Sequence, residues 1–237
     1  MEPAPGRLLR VTDGFAFAGD IGRTWAAVEG IRLGDVEVAV AQVDDLVREA
    51  QVQKCSWWLS ERSTPDDVEE QLLACGLKRY DHDYLHAAML LTTEPPRVDD
   101  VEVRTVATLE EYVEARRITR AAFGNPEPEQ PRDELAREWK RRIDPSFAAW
   151  IDGRMASVGS VVLTRVGGFL IGGATAEWAR GRGAYRAVVR ARWDAVAARG
   201  TPALAVGAGP MSKPILERIG FEQVLALRRV ESVRSEQ

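Results

Sequence analysis

The stretch Glu177-Trp178-Ala179-Arg180-Gly181-Arg182-Gly183-Ala184-Tyr185 decides the fold of this chain. It follows an apolar run, Phe169 to Ala176, that is typical of a β-strand. A helix is predicted directly after it, over Tyr185 to Arg199, because apolar residues recur there at helical spacing. The predicted buried stripe of that helix comprises Tyr185, Val188, Val189, Trp193 and Val196. The unit is therefore a strand, a short Arg/Gly loop and a helix.

Such a unit favours binding of a phosphate group. The first turn of a helix has amide hydrogens without internal partners and carries a partial positive charge. An anion placed there gains several hydrogen bonds at once. Gly181 and Gly183 have no side chains to keep a pyrophosphate from the backbone, and Arg180 and Arg182 add fork-shaped cationic donors. The alternatives are an RG-type RNA-binding segment, which is usually repeated and disordered, or an ordinary solvated loop.

The chain also contains two similar stretches on either side of a proline-rich linker at residues 92–97. Paired prolines lack amide donors and resist both helix and central strand. Before the linker, and again before the C-terminus, the predicted order is helix, strand, helix, Gly-apolar, strand. In the stretch before the linker, the second helix is predicted over Pro65 to Cys75, with Thr64 as its N-cap. We therefore expect a duplicated α/β unit, with halves at residues 1–95 and 98–237.

Composition limits the class of protein. The 237 residues carry a net charge of -4, which argues against a general nucleic-acid binder. The sequence has no run of about 18 apolar residues and no signal-peptide pattern, so we expect no membrane contact. Cys55 and Cys75 predict two reduced thiols and a cytoplasmic location. Only four of 32 basic residues are lysines, which suggests bacterial DNA of high GC content. His82 and His86 are too few to predict a metal site.

The loop resembles the signature of the GNAT superfamily of acyl-CoA-dependent N-acyltransferases. Their signature is Arg/Gln-x-x-Gly-x-Gly/Ala between a central strand and a helix, and Arg180 and Gly183 match it at the right spacing. Tyr185 is a departure, because a small residue is usual at the last position. The later helix that ends in Gly-Phe in the family is matched by residues 216–221. The resemblance covers about Val101 to Ser232 in element order.

This resemblance implies an α/β fold whose mixed, mostly antiparallel central sheet is flanked by helices and splayed between two neighbouring strands. Acetyl-CoA, or another acyl-CoA, would lie in the gap as cosubstrate. By carry-over, the pantetheine arm would pair with the backbone near Gly173 and Thr175. Gly172-Gly173 fits this independently, since glycine inside a strand often marks a bulge or a close backbone approach. The predicted cofactor-binding residues are Gly173, Thr175, Arg180, Gly181, Arg182, Gly183, Ala184 and Tyr185.

The catalytic residues familiar from the superfamily are absent. Leu216 stands where many members have a Tyr acid, and Phe169 stands where some have a Glu base. Replacement candidates are Glu177, just before the loop, and Ser212, at the start of the last helix. The structural alternatives are a solvated carboxylate for Glu177 and a plain helix N-cap for Ser212. Activity is still expected, because a thiolate leaves tolerably well without an acid.

The predicted function is transfer of an acyl group from acyl-CoA to an amine, either a small molecule or a peptide. The acidic segment Asn125 to Glu138 could attract a cationic acceptor, or it could be a solvated loop. The first half has no Arg/Gly loop, so we expect it to be a degenerate GNAT-like half that shapes the acceptor cleft or supports a homodimer. The competing predictions are a catalytically inactive acyl-CoA-binding module and a ligand-free structural dimer.

Overall fold

The computed structural model describes residues 7–20, 25–80, 85–124, 130–142 and 144–233. The chain forms two compact units, each made of segments that are separate in sequence. The first unit comprises Met1–Ala88, Ala208–Lys213 and Gln223–Gln237. The second unit comprises Met89–Gly207 and Pro214–Glu222. Residues 223–233 therefore fold with the first unit.

Strands and helices alternate along much of the chain. The strands are β1 (Arg7–Val11), β2 (Ala16–Asp20), β3 (Trp25–Glu29), β4 (Lys54–Ser60), β5 (Lys78–Arg79), β6 (Leu85–Leu91), β7 (Glu102–Thr105), β8 (Ser146–Ile151), β9 (Arg154–Leu163), β10 (Gly168–Thr175), β11 (Leu204–Ala208) and β12 (Glu222–Val233). The helices are α1 (Val36–Glu49), α2 (Val68–Ala74), α3 (Leu109–Phe123), α4 (Arg132–Arg141), α5 (Ala184–Ala197) and α6 (Lys213–Glu217). A 3-10 turn, Glu177–Ala179, precedes α5. No helix in the described ranges has both the length and the apolar content needed to cross a membrane.

The first unit is built on a sheet in which β1, β2, β3, β4 and β12 are neighbours. Only β3 and β4 run parallel among these pairs, and β12 pairs antiparallel with β4 from Leu227–Ser60 to Val233–Lys54. Helix α1 begins at Asp35, whose side chain accepts a hydrogen bond from the Val38 amide at 3.0 Å. Its apolar face joins the buried core around Trp57, which is 1% exposed.

Helix α2 begins later than the sequence predicts. The predicted N-cap, Thr64, instead uses its backbone to hold a neighbouring segment: its carbonyl accepts from Leu33 N at 2.8 Å, and its amide donates to Ile31 O at 3.1 Å. The helix starts only at Val68, after Asp67. The prediction of a helix from Pro65 was wrong at its start because this backbone pairing competes with the first helical turn.

The second unit has the strand order β11, β10, β9, β8, β7. The β8–β9 hairpin turns at Asp152-Gly153, where both residues have positive φ, as a two-residue turn of this type requires. Helix α3 starts in a capping box formed by Thr108 and Glu111. Helices α3 and α5 both contact β9 and β10, and their apolar faces belong to two separate core clusters. The predicted mixed, mostly antiparallel sheet with flanking helices is confirmed.

Candidate functional site

The Arg/Gly loop joins the end of β10 to the start of α5 through two left-handed glycines. Gly181 has φ +78° and Gly183 has φ +83°, a conformation that other residues rarely adopt. A side chain on Gly181 would meet open space, whereas a Cβ on Gly183 would lie 3.0 Å from Val98 Cγ1. These two turns place the backbone of the loop directly before the first turn of the helix.

The start of α5 offers a cluster of unpartnered amides. Gly183 is the N-cap and supplies no side-chain hydrogen bond, and its carbonyl accepts from Ala187 N at 3.0 Å. This is the first hydrogen bond of the helix. The N–H groups of Ala184, Tyr185 and Arg186 come before Ala187 in the chain, so they have no partner inside the helix. Within the described part of the chain, the amides of Gly181 and Gly183 donate to no backbone carbonyl either. The cluster has the geometry of an anion-binding site.

The two arginines of the loop differ in their surroundings. Arg182 forms an ion pair with Asp152 at 3.0 Å and lies 5.7 Å from the ring centre of Trp178. Its amide is also used, donating to Ala179 O at 3.3 Å. Arg180 is exposed and forms no ion pair with any described residue. An exposed ion pair contributes at most about 1 kcal/mol, so Asp152 does not prevent Arg182 from turning to an anion.

A gap opens beside the loop, between β10 and β11. These parallel strands pair only at Gly168–Leu204 and Phe169–Ala205. The pairing stops there, although β10 continues to Thr175 and β11 to Ala208. On its other side, β10 stays paired with β9, but the register shifts between Ile171 and Ala174. This is the bulge expected at Gly172-Gly173, and Gly172 has φ +61°. Beyond Phe169, β10 therefore has no strand partner on this side among the described residues.

Tyr185 connects the helix to this bulge. A Cβ built on Gly173 would lie 2.9 Å from Cε2 of Tyr185, so the ring contacts the strand where a side chain is missing. Thr175, the other predicted strand contact, shares a hydrogen bond of 3.0 Å with the Ser157 hydroxyl. Ala184 is buried beneath the loop, with only 1% of its surface exposed, so its amide is its contribution to the site. The loop, the bulge and the gap are thus contiguous within the second unit.

Arg192 is a site residue that the sequence analysis missed. It is 0% exposed, and its Nε and Nη1 donate to the carbonyls of Val188 and Ser160 at 3.2 and 3.4 Å. Burial lowers the pKa of its guanidinium, and interaction with the Tyr185 hydroxyl partly offsets this effect. The signal was the spacing: position 192 continues the stripe of Tyr185, Val188 and Val196 at i+3 and i+4.

The proposed catalytic candidates lie in different units. Glu177 is exposed at the start of the 3-10 turn of the second unit, where its carbonyl accepts from Arg180 N at 3.2 Å. Ser212 belongs to the first unit. It stands directly before α6, and its hydroxyl donates to Gly209 O at 3.2 Å. Neither unit by itself brings these two side chains together.

Phe169 and Leu216, which stand where the familiar catalytic residues are expected, differ in their exposure. Phe169 is 41% exposed on β10, at the last pair before the gap opens. Leu216 is 1% exposed and its carbonyl accepts from Phe221 N at 3.1 Å. Neither side chain can exchange a proton, so no general acid or base stands at these positions.

Part of the acidic segment lies outside the described residues, namely 125–129, and so does His82. The described acidic side chains of the segment are engaged with neighbours. Glu138 accepts a hydrogen bond from the Tyr112 hydroxyl at 2.9 Å, and Gln130 Nε2 donates to Glu134 at 3.0 Å. Asp133 pairs with Arg137 at 3.3 Å. These contacts reduce the free negative charge that the sequence alone suggested.

Comparison with known proteins identifies the fold. No family model matches the sequence, and no curated protein matches it significantly. A solved GCN5-related N-acetyltransferase from Kribbella flavida is similar over 97% of this chain and 91% of its own, with a TM-score of 0.66 and 15% identity. A tandem GNAT protein from the clavulanic acid biosynthesis pathway is similar over 99% and 86%, with a TM-score of 0.62 and 14% identity.

A third similar structure is a GNAT-family acetyltransferase from Novosphingobium aromaticivorans, covering 93% of this chain and 89% of its own, with a TM-score of 0.60 and 18% identity. These matches extend over nearly the whole chain rather than one half. The chain therefore has the GNAT fold, as the loop and the later Gly-Phe helix predicted.

Proposed function

We propose that the second unit binds acetyl-CoA, or another acyl-CoA, and transfers the acyl group to an amine. One observation supports this more than any other. The unpartnered amides at the start of α5 lie beside a gap between two parallel strands whose edge is open. A long, thin cofactor with a pyrophosphate at one end suits this combination, because an anion is held by the amides and an extended arm pairs with a strand edge.

In this proposal the pyrophosphate lies on the amides of Gly181, Gly183, Ala184 and Tyr185, with Arg180 and Arg182 at its flanks. The pantetheine arm runs along β10 and pairs with the backbone near Gly173 and Thr175. The acyl group then lies near the bulge. Arg180 has no competing ion pair with a described residue, so it is the better placed of the two arginines.

The proposed chemistry is direct attack of an amine on the thioester carbon. Alignment of two bound substrates contributes to rate without a titratable group. A thiol has a pKa near 8.5, so a thiolate is a tolerable leaving group without an acid. Glu177 and Ser212 stay candidates for proton transfer, and the acceptor is a small-molecule or peptide amine. Such an enzyme with reduced thiols at Cys55 and Cys75 is proposed to work in a bacterial cytoplasm.

We further propose a division of labour between the halves 1–95 and 98–237. The first half lacks the Arg/Gly loop and is a degenerate GNAT-like half that completes the fold and could support a homodimer. Because β12 pairs with β4 in the first unit, a fragment cut at residue 97 would separate paired strands. The proposal must therefore be tested on the full chain.

The decisive experiment is a calorimetric titration of the full chain with acetyl-CoA. We expect one binding site per chain. Gly181→Glu should abolish binding, because it places a carboxylate against the pyrophosphate. Gly200→Glu is the matched control: Gly200 also has a positive φ (+76°) and open space around it, but it follows the C-terminal end of α5. Equal losses in both variants, or no binding by the wild type, would refute the proposal.

A catalytically inactive acyl-CoA-binding regulatory module is the second candidate. It is favoured by Phe169 and Leu216, neither of which can act as acid or base. Thiol release from acetyl-CoA across a panel of amines separates the two candidates. Release with any amine favours the enzyme, whereas binding without release across small, polyamine and peptide acceptors favours the module.

A further inference from the structure

Arg192 is a buried cation without an anionic partner. No carboxylate among the described residues forms an ion pair with it, and its Nη2 has no hydrogen-bond partner there. A buried charge without a counter-charge is costly, so it is rarely kept without a role. The strand beneath makes room for it: a Cβ on Gly159 would lie 2.7 Å from Nη1 and 2.9 Å from Cζ.

The guanidinium faces Tyr185. The ring centre of Tyr185 lies 5.8 Å from Cζ of Arg192. This neighbouring phenol offsets part of the lowering of the Arg192 pKa that burial causes. A guanidinium can only donate hydrogen bonds. Toward a guanidinium the hydroxyl oxygen of Tyr185 can act only as an acceptor, so the hydroxyl hydrogen points away from Arg192. Tyr185 is also only partly buried, so this hydrogen can reach a ligand.

The free donor lies at the bulge of β10. The Tyr185 hydroxyl oxygen would be 3.3 Å from a Cβ on Gly173. Hydrogen-bond donors fixed in advance and backed by positive charge stabilise negative charge that develops during a reaction. Tyr185 thus places a hydroxyl against the bulge of β10, with the buried guanidinium of Arg192 5.8 Å from its ring centre.

We propose that Tyr185 donates a hydrogen bond to the thioester carbonyl oxygen of the bound acyl-CoA, and that Arg192 is the positioning residue that orients Tyr185. This inference rests on the proposed acyl-CoA binding. When the amine nitrogen bonds to the carbonyl carbon, the carbonyl electron pair moves onto oxygen, where the Tyr185 hydroxyl stabilises it. The C–S bond then breaks as the carbonyl re-forms, and the proton lost by nitrogen passes through water to the CoA thiolate. The products are an amide and CoA thiol.

Infrared spectra of the full chain with acetyl-CoA labelled with 13C at the carbonyl test this assignment. A hydrogen bond to the carbonyl lowers its stretching frequency. We expect the bound wild type to show a lowered band, and Tyr185→Phe to return the band toward that of free acetyl-CoA. Because only one hydroxyl is lost, affinity should fall by no more than about tenfold. Arg192→Lys, which retains Tyr185, should move the band in the same direction. Tyr80→Phe serves as the control and should leave the band unchanged.

The outcomes of these measurements distinguish the proposed function from the role of Tyr185. A wild-type protein that does not bind acetyl-CoA would overturn both the proposed function and this inference. Binding with the same carbonyl band in the wild type and Tyr185→Phe would overturn the inference alone. If Arg192→Lys does not fold, the comparison of wild type with Tyr185→Phe still decides, since that change retains the ring against Gly173.

Discussion

Gly173 and Tyr185 are in contact because Gly173 has no side chain. A Cβ at position 173 would lie 2.9 Å from Tyr185 Cε2, closer than real Cβ atoms approach. The bulge of β10 and the first turn of α5 thus meet through one aromatic ring. The last position of the Arg/Gly loop is therefore structurally coupled to the strand that borders the gap.

The first prediction concerns this contact. Gly173→Ala should displace the Tyr185 ring and weaken acetyl-CoA binding by about tenfold or more, with a loss of about 1–3 kcal/mol of stability from overpacking. In a chain that already carries Tyr185→Ala, Gly173→Ala should cost much less stability, because the two side chains are in contact and their effects are not additive. Urea unfolding and calorimetric titration measure both effects. Additive losses would show that the two residues are not coupled, and Gly34→Ala, which meets no atom within 4 Å, should change neither quantity.

The second prediction concerns charge at the loop. Arg180→Ala should weaken acetyl-CoA binding by about 10- to 100-fold, because a charge-assisted hydrogen bond contributes about 1.5–3 kcal/mol. The loss should shrink at high salt, where the remaining charges are screened. Arg199→Ala is a suitable control, since Arg199 is also exposed but follows the other end of α5. If the two variants bind equally well, Arg180 does not contact the cofactor.

The third prediction concerns the space occupied by Arg192. Gly159→Ala would place a methyl group 2.7 Å from Nη1 of the buried guanidinium. The free energy of unfolding should fall by about 1–3 kcal/mol. Gly207→Ala in β11, where a Cβ meets nothing within 4 Å, should cost much less. Urea denaturation of both variants provides the measurement, and equal stability of the two would contradict the packing described for Arg192.

The fourth prediction concerns pH. Partial burial alone would raise the pKa of the Glu111 carboxyl, but hydrogen bonds from Ala107 and Thr108 amides and from Arg104 lower it below its ordinary value of 4.5. A lowered pKa in the folded state stabilises the protein above the unfolded value and loses this contribution as pH falls through the folded value. Glu111→Gln should therefore destabilise the chain at neutral pH and lose most of this effect in acid.

Urea unfolding at both pH values tests this sign. Glu114→Gln is the control, because Glu114 lies on the same helix and its ion pair with Arg117, at 3.7 Å, is exposed. A Glu111→Gln cost that stays constant into acid would mean that the capping box does not depend on the carboxylate.

The sequence predicted those parts of the fold that local chemistry controls. Helix α3 has local signals at both ends, namely the capping residue Thr108 and Gly124, which has φ +62°. The Asp152-Gly153 turn fixes the β8–β9 hairpin in the same way. The bulge at Gly172-Gly173 was also visible, since paired glycines inside a strand favour it.

The features that the sequence did not predict depend on distant contacts. Thr64 was misread as a cap because its backbone pairs with residues 31–33, over thirty positions away. Arg192 was missed because a charged residue in a helical stripe normally indicates an exposed face. Its burial depends on the absence of a side chain at Gly159, on a different element. Likewise, no local pattern assigns β12 to the first unit.

The most direct test of the central claim is a crystal structure of the full chain with acetyl-CoA. The account predicts pyrophosphate oxygens within hydrogen-bonding distance of the amides of Gly181, Gly183, Ala184 and Tyr185, with the pantetheine arm along β10. A cofactor held elsewhere on the molecule, with those amides bound only to water or protein, would contradict it.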